Sequence, residues 1–231
     1  IVLPSELPWQ WLYERADPSS FLHMTGLTRQ CFTMLLSALF DHEEILPHHC
    51  RRQGQLRSIR PEGCLGLLLF YLGSTMNHKH LCMIFGIVPG VCSKVVRAML
   101  RLAVRRLANH PIAEVRFPCA EKMRQFARMV QARAPLVNNV IGFMDGKSIP
   151  SECTDEQNAF YCGYDCDTMV NNAFAYGPDG KVFFAAVNFP GSWAEGALTA
   201  RFLHAIKKKI GEYKICVDQG FPRSGDAYGI L

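Results

Sequence analysis

The spacing of apolar residues changes once along the chain, near residue 135. Before that point apolar positions recur every three or four residues, which is the period of an amphipathic helix. After it they form short continuous runs and alternating stretches, which are typical of strands. The pattern predicts an α+β or α/β protein with an all-helical region, residues 1–135, followed by a mixed sheet with helices, residues 136–231.

The helical region contains a segment with the outline of a helix-turn-helix. A short helix is predicted over residues 77–85, a break over residues 86–90, and a longer helix from about residue 93 to residue 108. Two helices joined by a tight turn that contains glycine form this DNA-binding motif. Further helices are predicted over residues 21–46, 61–72 and 121–133, whereas residues 1–20 are expected to form a loosely held lead-in.

The longer helix of this segment carries a basic stripe. Four cations follow one another at three- and four-residue spacing, which aligns them on one face: Lys94, Arg97, Arg101 and Arg105. Such a stripe is often only the solvated side of an amphipathic helix. No acidic residue lies between Lys94 and Asn109, however, which favours contact with a phosphate backbone, where neutralised phosphates release counterions. The stripe therefore predicts binding to DNA.

Net charge differs between the two parts of the chain. Residues 1–139 contain 17 Lys and Arg against 9 Asp and Glu, whereas residues 140–231 contain 8 against 11. The first part is thus basic by +8 and the second acidic by −3, which together give the net charge of +5. A basic region is suited to holding a polyanion and an acidic one to holding a cation.

The second region is predicted to follow the order strand, hairpin, helix, strand. Strands are predicted over residues 139–144 and 213–217, a hairpin over residues 169–188 around the turn at residues 177–180, and a helix over residues 194–210. A helical crossover between strands of one sheet is normally right-handed and permits the last strand to lie parallel to the first. This order is the opening of a ribonuclease-H-like fold, which we expect to be truncated at its C-terminus.

Two aspartates close the first and the last of these strands. Asp145 ends an apolar run that begins at Val140, and Asp218 ends one that begins at Lys214. If the two strands are parallel neighbours about 4.8 Å apart, their carboxylates can share divalent cations. Two metals about 3.5–4 Å apart support phosphodiester displacement, and Mg²⁺ or Mn²⁺ suits oxygen ligands of this kind. We therefore expect Asp145 and Asp218 to be metal ligands and catalytic residues.

The ten cysteines give a weaker signal. Cys153, Cys162 and Cys166 lie close together but lack the paired C-x2-C spacing of a structural zinc site. Most of the cysteines are expected to be reduced thiols, and a cysteine-based zinc module is the least favoured hypothesis. The longest apolar stretch, residues 64–76, contains two glycines and is too short to span a bilayer, so no membrane contact is expected.

Four short motifs follow one another in the second region. They read Met-Asp-Gly-Lys-Ser-Ile-Pro at 144–150, Tyr-Cys-Gly-Tyr at 161–164, Asn-Phe-Pro-Gly-Ser at 188–192 and Val-Asp-Gln-Gly-Phe-Pro at 217–222. In this order they resemble the DDE superfamily endonucleases of Harbinger-type transposases, and the resemblance covers nearly the whole chain. It implies a nuclear, metal-dependent nuclease that cuts DNA at transposon ends and joins it to a target.

The resemblance makes Asp145 and Asp218 the first two acids of a catalytic triad. The third acid, a glutamate, has no match in this sequence and is expected beyond Leu231, so the chain as it stands is expected to be inactive. Where such proteins usually carry His-Asp, this chain has Ala194-Glu195, and the role of that pair stays open. A separate DNA-binding partner protein and an oligomer are both compatible with the resemblance. The alternative is a domesticated, non-catalytic DNA-binding or adaptor protein that keeps the transposase fold.

Overall fold

Residues 6–40, 59–152, 157–193 and 195–218 are described by the computed structural model. The chain divides between Glu114 and Val115 into two units, and each is described here by itself. We call the described residues up to 114 the helical unit and those from 115 the sheet unit. Helices and one mixed sheet make the protein α+β, which confirms the predicted class at this level.

The helical unit contains six helices within its described residues. They are α1 (Pro8–Arg15), α2 (Pro18–Thr25), α3 (Arg29–Phe40), α4 (Pro61–Gly73), α5 (His78–Phe85) and α6 (Pro89–Leu107). The predictions for residues 61–72, 77–85 and 93–108 are confirmed by α4, α5 and α6. The expected end of the earlier helix at residue 46 lies outside the described residues.

The single helix predicted from residue 21 onward is wrong, because two helices occupy its first part. Gly26 adopts the left-handed conformation (φ +72°) and ends α2, where its N–H donates to the Leu22 carbonyl. α3 begins after Thr28, whose hydroxyl oxygen accepts the backbone N–H of Cys31 at 3.2 Å. The apolar period hides this break, since Leu27 within it packs against the same core.

Trp9 lies in the core of the helical unit, so the expectation of a loose lead-in over residues 1–20 is wrong. Its side chain is 4% exposed. The ring stacks on Phe85 with centroids 5.1 Å apart and meets the edge of Phe70 at 6.2 Å. Aromatic pairs of this geometry contribute about 0.5–1.5 kcal/mol each beyond the burial of their area. The first helix is therefore anchored to α4 and α5.

Glycines on α4 make room for this indole. A Cβ on Gly66 would overlap the Trp9 ring, and one on Gly63 would lie 3.4 Å from the indole nitrogen. Five α4 side chains are buried as well, those of Cys64, Leu65, Leu67, Leu68 and Phe70. Close packing of helix against ring thus depends on the absence of a side chain at one position.

The sheet unit contains three helices and five strands within its described residues. They are α7 (Ala120–Arg133), β1 (Val140–Pro150), α8 (Gln157–Phe160), β2 (Tyr161–Cys162), β3 (Asp167–Tyr176), β4 (Val182–Pro190), α9 (Glu195–Ile210) and β5 (Lys214–Cys216). The longer strands lie in the order β4-β3-β1-β5, and the short β2 pairs with the start of β3. β3 runs antiparallel to both β1 and β4, whereas β5 runs parallel to β1. The predicted hairpin, crossover helix and parallel last strand are confirmed.

The helix α7 packs against β1 of the sheet unit. Met123 and Phe126 of α7 share a core with Ile141 of β1 and Phe183 of β4. The sequence-based boundary after residue 135 follows the change of hydrophobic period, whereas the structural division precedes α7. A helix that covers a sheet keeps its helical period, so periodicity does not reveal which unit it belongs to.

No single helix among the described residues is long and apolar enough to cross a membrane. The helices α5 and α6 reach the required length only as a pair, and they are bent by 94° at the break between them.

The contact between Gly66 and Trp9 yields a stability prediction with a control in the same helix. Gly66→Ala should lower the free energy of unfolding by about 1–3 kcal/mol because the new methyl group meets a buried ring. Gly73→Ala, at the open end of α4, meets nothing within 4 Å and should change stability little or raise it. Thermal unfolding followed by tryptophan fluorescence measures both. Equal midpoints for the two variants would contradict the packing described.

Candidate functional site

Asp145 lies within β1 rather than at its end. The strand continues for five residues beyond it to Pro150, because β3 pairs antiparallel with β1 over eight consecutive residues, from Phe143 opposite Tyr176 to Pro150 opposite Met169. The expectation that Asp145 meets a loop is therefore wrong. The glycine that follows Asp145 does not end the strand, since both residues are held in the ladder to β3.

The parallel pairing between β1 and β5 was predicted, and it is confirmed. Its register joins Val140 to Lys214, Gly142 to Ile215 and Phe143 to Cys216. Asp145 and Asp218 each lie two residues beyond the last of these pairs. Adjacent strands lie about 4.8 Å apart, and only a register continued for two residues beyond the observed pairs would set the two aspartates opposite each other.

Both aspartate side chains face solvent. Asp145 and Asp218 are exposed, and Asp218 lies just beyond the end of β5. β1 thus loses its parallel neighbour at the point where its carboxylate emerges. The two residues singled out from the sequence are therefore both accessible, one within β1 and the other just beyond β5.

A tyrosine next to this edge reports the charge on Asp145. Burial raises the pKa of the Tyr176 hydroxyl above its ordinary value, and the negative charge of Asp145 raises it further. Tyr176 lies opposite Phe143 on β3. Nothing in the sequence pointed to it, because the proximity arises only from strand pairing.

Alternate residues of β1 form an exposed row that includes Asp145. The side chains of Phe143, Asp145, Lys147 and Ile149 are all exposed, whereas Met144 between them is 3% exposed and belongs to the core. Successive strand residues point to opposite faces. Asp145 and Lys147 therefore share one face of the sheet, with a large apolar residue on either side of them.

Asp145 and Asp218 are the residues that the sequence predicts to hold a divalent cation, and both carboxylates are exposed. Mg²⁺ is commonly held by one or two carboxylates, with water and substrate phosphates completing its oxygen shell. Within the described part of the chain, no group of three or more His, Cys, Asp or Glu side chains is placed to hold a metal. Cys153 and Ala194 fall outside the described residues. The side chain of Glu195 is likewise undescribed.

A tight turn at residues 86–88 joins α5 and α6 of the helical unit. The two helices meet at 94°, an angle within the range found in helix-turn-helix motifs. Gly86 adopts the left-handed conformation (φ +61°) that ends α5. Asn77 caps the start of α5, because its side-chain oxygen accepts the His80 backbone N–H at 3.2 Å.

The basic stripe lies on the exposed side of α6. Each of its four members is exposed: Lys94, Arg97, Arg101 and Arg105. At 3.6 residues per turn they fall within an arc of about 80°. Val104 is 70% exposed and borders this stripe, whereas Leu102 is 2% exposed and faces the core. The stripe is therefore available to a ligand.

No protein-family model, curated protein or solved structure matches this chain.

The influence of Asp145 on Tyr176 can be measured directly. Asp145→Asn removes the negative charge that disfavours the phenolate, so the pKa of Tyr176 should fall, while remaining above its ordinary value because burial persists. The difference in phenolate absorbance between the chain and its Tyr176→Phe variant isolates this titration. Asp165→Asn, in the turn before β3, serves as the control and should leave it unchanged. An unaltered Tyr176 titration in Asp145→Asn would contradict the described proximity.

Proposed function

We propose that the sheet unit is a metal-dependent nuclease domain of the DDE transposase type, in which Asp145 and Asp218 bind Mg²⁺ or Mn²⁺. The observation that carries the proposal is the parallel register of β1 and β5, which brings both aspartates to one edge. The resemblance to Harbinger-type transposases supplies the substrate, DNA at transposon ends and in a target, and a nuclear location.

The strand order supports a ribonuclease-H-like fold for this unit. Three antiparallel strands are followed by a helix and by a strand that returns parallel to the first, in the order β4-β3-β1-β5. The fold was expected on the same order of elements in the sequence. Only the return of β5 to β1, rather than to the free edge of β4, makes a carboxylate pair from residues 73 positions apart in the sequence.

The carboxylates would bind the metal through oxygen, which such cations prefer. Held by Asp145 and Asp218, such a cation would supply activation of a water or 3′-hydroxyl and stabilisation of the leaving oxygen. Backbone pairing holds the two ligands in place. Asp145 is fixed by the pairing of β1 with β3, and Asp218 follows the end of β5, which is paired with β1. A third carboxylate from beyond Leu231 would complete the set.

The helical unit supports a role in holding the DNA. The 94° crossing of α5 and α6 and the exposed stripe on α6 are the two features that a helix-turn-helix uses on a duplex. Lysine and arginine on one helix face neutralise phosphates and give affinity without sequence preference. We propose that Lys94, Arg97, Arg101 and Arg105 contact the DNA backbone.

The second candidate function is a non-catalytic DNA-binding or adaptor protein. The exposed basic stripe favours it as well, because binding requires no complete metal site. A chain that bound DNA and failed to hold a metal at Asp145 and Asp218 would have this function. Metal binding therefore separates the two candidates.

Metal binding should depend on both aspartates. Titration calorimetry with Mn²⁺ should detect binding to the chain, and either Asp145→Asn or Asp218→Asn should abolish it because one carboxylate alone holds the ion weakly. Asp165→Asn should bind as the unaltered chain does. Binding that survives both substitutions would contradict the proposed site.

The same chain should cleave DNA slowly or not at all in Mg²⁺, because the described residues place no third acid beside the two aspartates. Mg²⁺- or Mn²⁺-dependent cleavage that Asp145→Ala abolishes would overturn this expectation.

DNA binding should depend on the basic stripe and on salt. Arg101→Ala should weaken binding to a duplex and lower the slope of log affinity against log salt by about 0.9, the contribution of one phosphate contact. Arg15→Ala removes the same charge from an exposed position on α1 and is the matched control. Fluorescence anisotropy at several salt concentrations measures both. Equal slopes in the two variants, or affinity indifferent to salt, would exclude the stripe as the contact surface.

A further inference from the structure

The exposed row of β1 contains one cation whose role the metal site does not explain. Lys147 follows Asp145 by two residues and shares its face of the sheet, so the two side chains start about 6.8 Å apart. Its ammonium group forms no ion pair with any residue that the structure describes, including Asp145. The row therefore contains a carboxylate and, two residues further along the strand, a lysine with no ionic partner among the described residues.

A buried amide holds the backbone at Lys147. Asn172 lies directly opposite on β3 and is 4% exposed. Its side-chain nitrogen donates to the Lys147 carbonyl at 3.1 Å and to the Val170 carbonyl at 3.1 Å. Its side-chain oxygen accepts the backbone N–H of Asn188 at 3.1 Å.

This amide also stabilises an irregular part of β4. The register between β3 and β4 shifts between Asn171 and Ala173, and Asn188 within the shift has a φ of +65°. A bulge of this kind leaves a backbone N–H without a partner in the ladder, and Asn172 accepts the N–H of Asn188. One buried side chain thus fixes three strands around the carbonyl of Lys147.

We propose that Lys147 binds a phosphate of the DNA strand that lies across Asp145 and Asp218, and that Asn172 is the residue that positions it. The inference rests on the proposed function, because it takes the carboxylate edge as the place where a phosphodiester binds. A carboxylate pair attracts the cation and repels the DNA backbone, so a lysine on the same face supplies the charge that holds the next phosphate. Phe143 and Ile149 flank the pair and lower the local polarity, which strengthens a charged contact.

The test measures binding rather than cleavage. The full chain is titrated into a short fluorescent single-stranded DNA with and without Mn²⁺, and the difference isolates binding at the carboxylate edge from binding to the basic stripe. Lys147→Ala should weaken the Mn²⁺-dependent affinity about tenfold, as expected for loss of one charge-assisted contact. It should also lower the salt slope by about 0.7. Lys147→Arg should restore most of the affinity.

Lys181 provides the matched control. It is an exposed lysine in the turn between β3 and β4, and Lys181→Ala removes the same charge from the same unit. It should leave the Mn²⁺-dependent affinity unchanged. Equal losses in Lys147→Ala and Lys181→Ala, or no loss in Lys147→Ala, would overturn the proposal.

Measuring Mn²⁺ binding without DNA distinguishes an error in the role of Lys147 from an error in the proposed metal site. Calorimetry should give a Mn²⁺ affinity for Lys147→Ala that is no lower than for the unaltered chain, because the substitution removes a positive charge from the same face. If Mn²⁺ binds and Lys147→Ala has no effect on DNA, this inference alone is wrong. If the unaltered chain binds no Mn²⁺, the proposed function fails and this inference fails with it.

The positioning role of Asn172 has a neighbouring control. Asn171 is also a buried asparagine of β3, but it faces the opposite side, where its amide donates to the carbonyls of Gly191 and Trp193. Both Asn172→Ala and Asn171→Ala should lower stability, whereas only Asn172→Ala should weaken the Mn²⁺-dependent affinity. The double variant Asn172→Ala/Lys147→Ala should bind DNA no more weakly than Lys147→Ala alone. Additive losses, or equal losses from the two asparagines, would overturn the positioning role.

Discussion

Backbone pairing on the two sides of β1 is the constraint on which the sheet unit depends. One side of the strand is paired with β3 along eight consecutive residues, whereas the other side is paired with β5 only as far as Phe143. Asp145 lies just past that limit, so it has the rigidity of a strand residue and the accessibility of an edge residue. Continued parallel pairing would have placed another strand against the carboxylate. The early end of β5 therefore leaves β1 without a parallel partner at Asp145.

In the helical unit, packing of one aromatic ring connects α1 to the turn between α5 and α6. Trp9 stacks on Phe85, the last residue of α5, directly before Gly86. A Cβ on Gly86 would meet the side chain of Leu7, so the segment before α1 lies close to the same turn. The crossing angle of α5 and α6 is thus held from two directions, by the local conformation of a glycine and by residues about 80 positions earlier. The basic stripe on α6 takes its orientation from this packing.

Metal binding is proposed for the sheet unit and DNA binding for the basic stripe of the helical unit, and the two differ in their electrostatics. A carboxylate edge repels DNA unless a cation neutralises it, whereas a basic helix attracts DNA without any metal. Lys147 lies between these extremes, since it adds a positive charge on the very face that carries Asp145. The buried amide of Asn172 is costly to leave unpaired, and it is fully used in holding the backbone at that lysine and the bulge of β4.

The sequence by itself determined the elements and much of their order. Hydrophobic period located α4, α5, α6, the hairpin and α9, and turn residues located the breaks between them, because these signals are local. It also picked out Asp145 and Asp218 and predicted the parallel return of the last strand. Their joint role in binding metal stays a prediction. Local signals failed where a distant contact decided the outcome: Trp9 in a proline-rich lead-in, the two helices that share one apolar period across Gly26, and the continuation of β1 beyond Asp145. Only the tertiary structure could decide these points, because the partners that bury Trp9, extend β1 and raise the pKa of Tyr176 lie far away in the sequence.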